Sequence, residues 1–168
     1  GDYVTLLEQV FLIHRLPAWH SNRLSRLIKT PKLHLGDTGV ACAVLNQPVE
    51  ALREDRTLLG HLLETYVVQE IQRQSGWSGE RIEMHHFRTK DGAEVDAVLE
   101  RAGRRIAGVE VKLSGTVVPK DFRGLKKLRE AAGDRFAVGV VLFDGEDTIP
   151  FGEGLYAVPL NRLWSGDK

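Results

Sequence analysis

Two carboxylates and a lysine between positions 88 and 113 have the types and spacing that suit metal chemistry. This stretch, RTKDGAEVDAVLERAGRRIAGVEVKL, predicts two β-strands joined by a turn. Asp96 lies among the apolar residues of the first strand, and Glu110 and Lys112 lie two positions apart on the second. Because side chains alternate along a strand, Glu110 and Lys112 are predicted to share one face.

These three residues form the pattern D-x13-E-x-K, which suggests a divalent-metal site with a lysine beside it. Charged groups on apolar strands are costly to bury unless they have partners, and Asp96 on the neighbouring strand is a candidate partner for the other two. Carboxylate oxygens are ligands that Mg²⁺ and Mn²⁺ prefer. The alternative is a structural ion-paired patch that sets the strand register and has no activity.

The composition is that of an ordinary folded domain. The chain has 168 residues, of which 42% are apolar and 27% charged, with 23 basic and 23 acidic side chains. The single Cys42 excludes an internal disulfide framework and a cysteine-based zinc site, so we expect a reducing, cytoplasmic setting without membrane attachment. Because the chain begins with Gly-Asp, we expect a fragment of a longer protein that starts with a tag scar.

A basic segment precedes the strands, since no acidic residue occurs from His14 to His34. Alternation before Pro17 and in KLHL predicts two short strands, and therefore a β-hairpin with a long basic tip. This hairpin is either simply solvated or an arm that contacts phosphates, because basic side chains supply the sequence-independent part of nucleic-acid affinity. The candidate contacts are Arg15, Arg23, Arg26, Lys29 and Lys32.

The most regular helical pattern runs from Leu58 to Gln74 and has one apolar face. Glu64 lies near the edge of that face and Glu70 near its middle, so either acid is a candidate for the site. Before this helix, Asp37 is predicted to cap a short helix, and residues 50–57 are predicted to form a loop.

The rest of the chain predicts a mixed α/β fold. A strand over residues 81–89, with a solvated His86, leads through Asp91-Gly92 into the two strands described above. A basic helix over residues 119–133 follows, then a buried strand over 136–143 and an edge strand over 155–160. This order requires one strand–helix–strand crossover. The basic helix adds three candidate phosphate contacts, Lys120, Arg123 and Lys127.

The order helix, three strands, helix, strand, with Asp on the second strand and Glu-x-Lys on the third, resembles the PD-(D/E)XK nuclease superfamily. The proline of that motif is absent, because Val95 precedes Asp96. The resemblance implies a restriction-endonuclease-like αβββαβ core with a mixed central sheet. It also favours Glu64, in the run Gly60-x-x-x-Glu64, as the acid that the first helix contributes.

A more extensive resemblance covers almost the whole chain. The runs KTPKLHLGDTGV, GHLLETYVVQEI, FRTKDGAEVDAVLE, GVEVKLSGTV and DFRGLKKL are similar, in order and spacing, to the DUF4143 family. That family's domains follow AAA-type ATPase domains in bacterial and archaeal proteins. The resemblance implies that residues 1–48 are the remnant of a winged-helix-like connector, with a helix and a β-hairpin, and that residues 49–168 are the nuclease-like domain. It places the ATPase upstream, and this chain has no G-x-x-x-x-G-K-[ST] motif for ATP.

The resemblance to these nucleases implies phosphodiester hydrolysis of DNA. Asp96, Glu110 and Glu64 would bind Mg²⁺ or Mn²⁺ together with the carbonyl of Val111, and Lys112 would orient the attacking water or stabilise charge on the phosphate. The alternative is a catalytically inactive module that binds DNA or protein and targets the fused ATPase. The expected partners are therefore DNA and the ATPase. The sequence does not set the oligomeric state, although AAA-type partners often assemble.

Overall fold

A computed structural model of the chain describes residues 2–22, 29–101 and 105–165. Its helices are α1 (Asp2–Gln9), α2 (Thr38–Val44), α3 (Val49–Glu54), α4 (Arg56–Trp77) and α5 (Arg123–Ala132). Its strands are β1 (Ile13–Leu16), β2 (Lys32–Leu35), β3 (Ile82–Arg88), β4 (Glu94–Arg101), β5 (Arg105–Lys112), β6 (Phe136–Phe143), β7 (Ile149–Pro150) and β8 (Leu155–Pro159). No helix in these ranges has both the length and the apolar character needed to cross a membrane.

Six of the strands form one mixed sheet in the order β3-β4-β5-β6-β8-β7. The first three form an antiparallel meander, and α5 then carries the chain across to β6, which pairs parallel with β5. The predicted α/β class with a mixed central sheet is confirmed. The strand predicted at the edge, β8, lies instead between β6 and the two-residue β7, so that prediction was wrong.

Helices cover both faces of the sheet. On one face Leu125 and Leu128 of α5 pack over Gly108 of β5, where an added Cβ would lie 2.6 Å from a Leu125 methyl group. On the other face Val67 and Ile71 of α4 pack against the apolar side chains of the central strands. Because both faces are apolar and covered, a charged group in the middle of this sheet requires a specific partner.

The segment before α2 forms the predicted hairpin and then encloses one edge of the large sheet. Strands β1 and β2 pair antiparallel, with His14 opposite His34. The chain after β1 runs beside β3, where the backbone N–H of Trp19 donates to His86 and the N–H of His86 donates to Pro17. The Trp19 ring is 1% exposed and packs in the core. The outer edge of β3 is therefore paired rather than open to solvent.

The structure corrects two further local predictions. Residues 50–57, predicted as a loop, form most of α3 and the start of α4, and the Asp55 side chain accepts a hydrogen bond from the N–H of Leu58. The charged residues there belong to an exposed helix, so they do not mark a break. His86 was predicted to be solvated, but it is 8% exposed because the segment around Trp19 covers its strand.

Candidate functional site

The candidate site lies where β4 and β5 separate. Their pairing, followed from Arg101 and Arg105, ends at Ala97 and Val109 within the described residues. Beyond that point Asp96 replaces the backbone as a partner, since one of its oxygens accepts a hydrogen bond from the N–H of Val111 at 2.9 Å. This bond explains how a carboxylate that is 7% exposed is tolerated between two strands.

Glu110 and Lys112 lie on the same face of β5, as their spacing predicts. The Lys112 ammonium is 2.9 Å from Oε1 of Glu110. The other oxygen of Glu110, Oε2, is buried and has no hydrogen-bond partner in the described part of the chain. The Lys112 side chain is 35% exposed, so its ammonium can face both the carboxylate and solvent.

The helix acid of the site is Glu64, and its partner comes from the hairpin. The ammonium of Lys32, on β2, lies 2.6 Å from Oε1 of Glu64 and 3.5 Å from Oδ1 of Asp96. Glu70 is held elsewhere by Arg73 and by the amide of Gln74. The sequence left Glu64 and Glu70 open as the helix acid. In the structure Glu64 contacts this cluster, and the contacts of Glu70 are with Arg73 and Gln74.

Side chains of α4 hold the hairpin in place. His34 of β2 is 3% exposed, and its Nδ1 lies 3.2 Å from the hydroxyl of Thr65. The amide of Gln69 donates to the carbonyl of Leu35. Nε2 of His34 lies 3.9 Å from Glu64, and burial together with the charge of Lys32 lowers the pKa of His34 to about 4. The imidazole is therefore neutral near pH 7 and leaves Lys32 as the cation beside Glu64.

Burial and mutual repulsion favour protonation of the two strand carboxyls. Burial, followed by the charge of Glu64, raises the pKa of Asp96 to about 6. Burial, followed by the charge of Asp96, raises the pKa of Glu110 to about 8. Burial disfavours the ammonium of Lys32, but the charges of Asp96 and Glu64 outweigh it and raise its pKa. The cluster thus has a surplus of acid that a further cation would relieve.

The donor set suits a divalent metal, but the carboxylates do not converge as they stand. Among the described residues, no three His, Cys, Asp or Glu side chains are close enough to hold one ion together. The chemistry fits, because the donors are hard oxygens and the buried Oε2 of Glu110 lacks a partner. In this arrangement the ammonium of Lys32 lies 2.6 Å from Glu64 and 3.5 Å from Asp96, so a cation is already beside both acids.

Several predicted phosphate contacts already bind other parts of the protein. Arg15 pairs with Glu8 of α1 at 3.2 Å. Arg123 donates to the side chain and the carbonyl of Asp91, and Lys127 pairs with Glu130. Lys120 and Lys29 are exposed, whereas Arg23 and Arg26 lie outside the described residues.

A groove of about 890 Å³ opens beside the carboxylates, between the hairpin side, α4 and the end of β3. Glu64 and Lys32 lie at its inner wall, and Lys29, Arg88 and Lys90 supply further positive charge. Arg88 is paired with Glu94 at 2.7 Å. The groove is therefore cationic on balance, and Glu64 and Lys32 are the members of the cluster that line it.

Comparison with known proteins identifies the family. A family model described as a domain of unknown function, DUF4143, matches residues 59–163, which is more than half of the chain and includes the whole six-stranded sheet. The chain belongs to the DUF4143 family. A second model, DUF8612, also described as a domain of unknown function, matches residues 1–51.

Two curated relatives of this DUF4143 domain are the uncharacterized proteins Mb2031c of Mycobacterium bovis and Rv2008c of Mycobacterium tuberculosis. Each is 25% identical over 162 residues, which cover 96% of this chain. The chain spans 34% of the length of each relative. No solved structure matches the chain significantly.

From the sequence, Lys32 was interpreted as a phosphate contact, and its position beside Glu64 and Asp96 was not predicted. The available signal was the alternation in KLHL, because it puts Lys32 and His34 on one face, as Glu-x-Lys does in β5. What the alternation does not show is which element packs on that face. The packing on that face is a feature of the tertiary structure, and it depends on the contacts that Thr65 and Gln69 of α4 make with the hairpin.

We expect Glu110→Gln to change how stability depends on pH. The pKa of Glu110 rises from its ordinary 4.5 to about 8 on folding, so its protonation stabilises the fold below about pH 4.5. That stabilisation is lost as the pH rises through 8. Gln cannot ionise. The melting temperature of Glu110→Gln minus that of the unmodified chain should therefore increase as the pH rises from about 5 to about 9, in chelator-treated buffer.

Glu130→Gln, at an exposed position on α5, is the matched control and should track the unmodified chain. Effects of the histidines cancel in these differences, because all three proteins keep them. A pH-independent difference between Glu110→Gln and the unmodified chain would contradict the burial account of the Glu110 carboxyl.

Proposed function

We propose that this chain is a metal-dependent nuclease-like domain that hydrolyses phosphodiester bonds in DNA. The observation that carries the proposal is the cluster at the separation of β4 and β5. There Lys32 contacts both Glu64 and Asp96, Lys112 contacts Glu110, and the buried Oε2 of Glu110 has no hydrogen-bond partner among the described residues. An acid cluster with a lysine beside a cationic groove suits a phosphodiester better than a neutral substrate.

The residues of the site would divide the work in the following way. Asp96 and Glu110, with the carbonyl of Val111 and with Glu64, would hold Mg²⁺ or Mn²⁺, which when bound supplies Lewis-acid chemistry at the phosphate. Lys112 would stabilise negative charge that builds on the phosphate oxygens, because its side chain is partly exposed to solvent beside Glu110. The Asp96 bond to Val111 would keep the ligand carboxylate fixed.

The order α4-β3-β4-β5-α5-β6 supports a restriction-endonuclease-like core. We also propose that this domain is the C-terminal part of an AAA-type ATPase that acts in the cytoplasm. The chain spans 34% of each curated relative, so those proteins have room for a further domain. In that arrangement the ATPase would supply nucleotide hydrolysis, and this chain would act on the nucleic acid.

We place the DNA backbone in the groove beside Glu64 rather than along α5. Lys29 and Lys90 line the groove and are exposed, and Glu64 and Lys32 of the cluster line the same groove. On α5, by contrast, Arg123 and Lys127 already have acidic partners. Cations that are free of local acids release more counterions on binding phosphate, so the groove is the stronger surface.

A second candidate function is a catalytically inactive module that targets the fused ATPase to DNA or to a protein. The observation in its favour is that every acid of the site already has a partner within the protein. Asp96 has the N–H of Val111, Glu64 has Lys32, and Glu110 has Lys112. Such a site is nearly balanced in charge without a metal.

For the nuclease function, the chain should nick plasmid or single-stranded DNA in Mg²⁺ or Mn²⁺. Asp96→Ala and Lys112→Ala should each lose about a hundredfold or more of the cleavage rate, because Asp96 would hold the metal and Lys112 would stabilise charge on the reacting phosphate. Mn²⁺ should raise the melting temperature of the unmodified chain and not that of Asp96→Ala. Lys126→Ala, on the exposed side of α5, is the control and should retain cleavage.

DNA binding without cleavage and without metal stabilisation would support the inactive module instead. Loss of salt-sensitive DNA binding as well would point to a protein partner. Cleavage that survives Asp96→Ala would refute the assignment of the site.

For the DNA path, we expect Lys29→Ala/Lys90→Ala to weaken binding of a labelled single-stranded oligonucleotide in chelator-treated buffer. Removing two phosphate contacts should make the slope of log affinity against log salt shallower by about 1.4, at roughly 0.7 for each contact. Lys120→Ala/Lys126→Ala removes the same charge from α5 and the turn that precedes it, and should leave the slope unchanged. The opposite result would place the strand along α5.

A further inference from the structure

We propose that Lys32 is the resident cation of the acidic site and that a divalent metal binds there only by displacing its ammonium. This inference rests on the proposed metal site and adds that the hairpin, through one side chain, sets the affinity of that site. The ammonium lies 2.6 Å from Glu64 and 3.5 Å from Asp96, so it occupies the space between two of the three carboxylates. No metal can approach both acids while it remains there.

The charge balance favours exchange over addition. With every group ionised, the three carboxylates and two ammonium groups of the cluster leave one excess negative charge. A divalent ion added beside both lysines would leave one excess positive charge in a largely buried site, which is costly. An ion that takes the place of Lys32 leaves the cluster neutral. The unpartnered Oε2 of Glu110 marks the remaining donor on the other side of Asp96.

Lys32 is the lysine that can leave. Its side chain is 31% exposed and lines the groove, so the ammonium can swing from the carboxylates into solvent on a flexible four-carbon stem. The backbone of β2 need not follow, because Lys32 opposes Leu16 in the hairpin and Leu35 is bound by Gln69.

The first test measures the affinity of the chain for Mn²⁺ alone, by the loss of the free-ion electron paramagnetic resonance signal, without nucleic acid. Lys32→Met should bind Mn²⁺ about tenfold or more tightly, because a positive charge beside the ligands has been removed. Lys32→Gln keeps donors for Glu64 and Asp96 and should change the affinity in the same direction. It also protects the test if Lys32→Met does not fold. Lys126→Met, at an exposed position on α5, is the matched control and should be unchanged.

The second test measures displacement in the unmodified chain. Lys32 should be acetylated faster by a small anhydride in Mg²⁺ or Mn²⁺ than in chelator, as read by peptide mass spectrometry, because metal frees its ammonium. Lys126, which is exposed on α5, should react equally in both conditions.

The possible outcomes separate the two proposals. Equal or weaker Mn²⁺ binding by both Lys32 variants, with binding by the unmodified chain, overturns the role of Lys32 and leaves the metal site standing. Absence of Mn²⁺ binding in all of these proteins overturns the metal site and the role of Lys32 together. Binding that appears only in the Lys32 variants means that Lys32 excludes the metal without being exchanged for it, and this result overturns the displacement.

Discussion

The ion pair between Lys32 and the carboxylates of Glu64 and Asp96 is the interaction on which the rest of the site depends. Each carboxylate belongs to a different element, and none is freely hydrated. Their repulsion has to be offset within the protein, and the hairpin supplies the offsetting charge. Asp96 needs a second restraint, the N–H of Val111, and this restraint exists only because β4 and β5 have stopped pairing. The site therefore requires both the separation of β4 and β5 and the hairpin residue Lys32.

The N-terminal segment is integrated into the sheet that it precedes. Trp19 packs in the core beside Phe87, and its indole N–H donates to the fully buried Glu100 at 3.2 Å. Arg135 lies 3.6 Å from the same carboxylate and 5.7 Å from the centre of the Trp19 ring. These contacts fix the segment at one end while Gln69 fixes it at the other. Lys32 therefore reaches the carboxylates from β2, which is held in place, and its own side chain is 31% exposed.

Local periodicity was sufficient to predict most of the fold. The alternation in β1 and β2, the Asp91-Gly92 turn and the apolar run of β6 each specify their own element, and the crossover follows from their order. The shared face of Glu110 and Lys112 followed from the same rule. The errors arose where neighbours in space decide the outcome. His86 is buried by a segment far away in sequence, and Lys32 faces inward because α4 binds its strand. The helix over 50–54 was missed because polar residues also suit an exposed helix.

We expect the acidic cluster to exchange the ammonium of Lys32 for a divalent ion. A crystal of the chain soaked in Mn²⁺, with anomalous diffraction recorded at the manganese edge, tests this claim most directly. We expect an anomalous peak among the carboxylates of Glu64, Asp96 and Glu110, in the place of the Lys32 ammonium, with the Lys32 side chain turned into the groove. A well-occupied peak elsewhere on the protein, or full Mn²⁺ occupancy at the carboxylates with Lys32 still between Glu64 and Asp96, would contradict it.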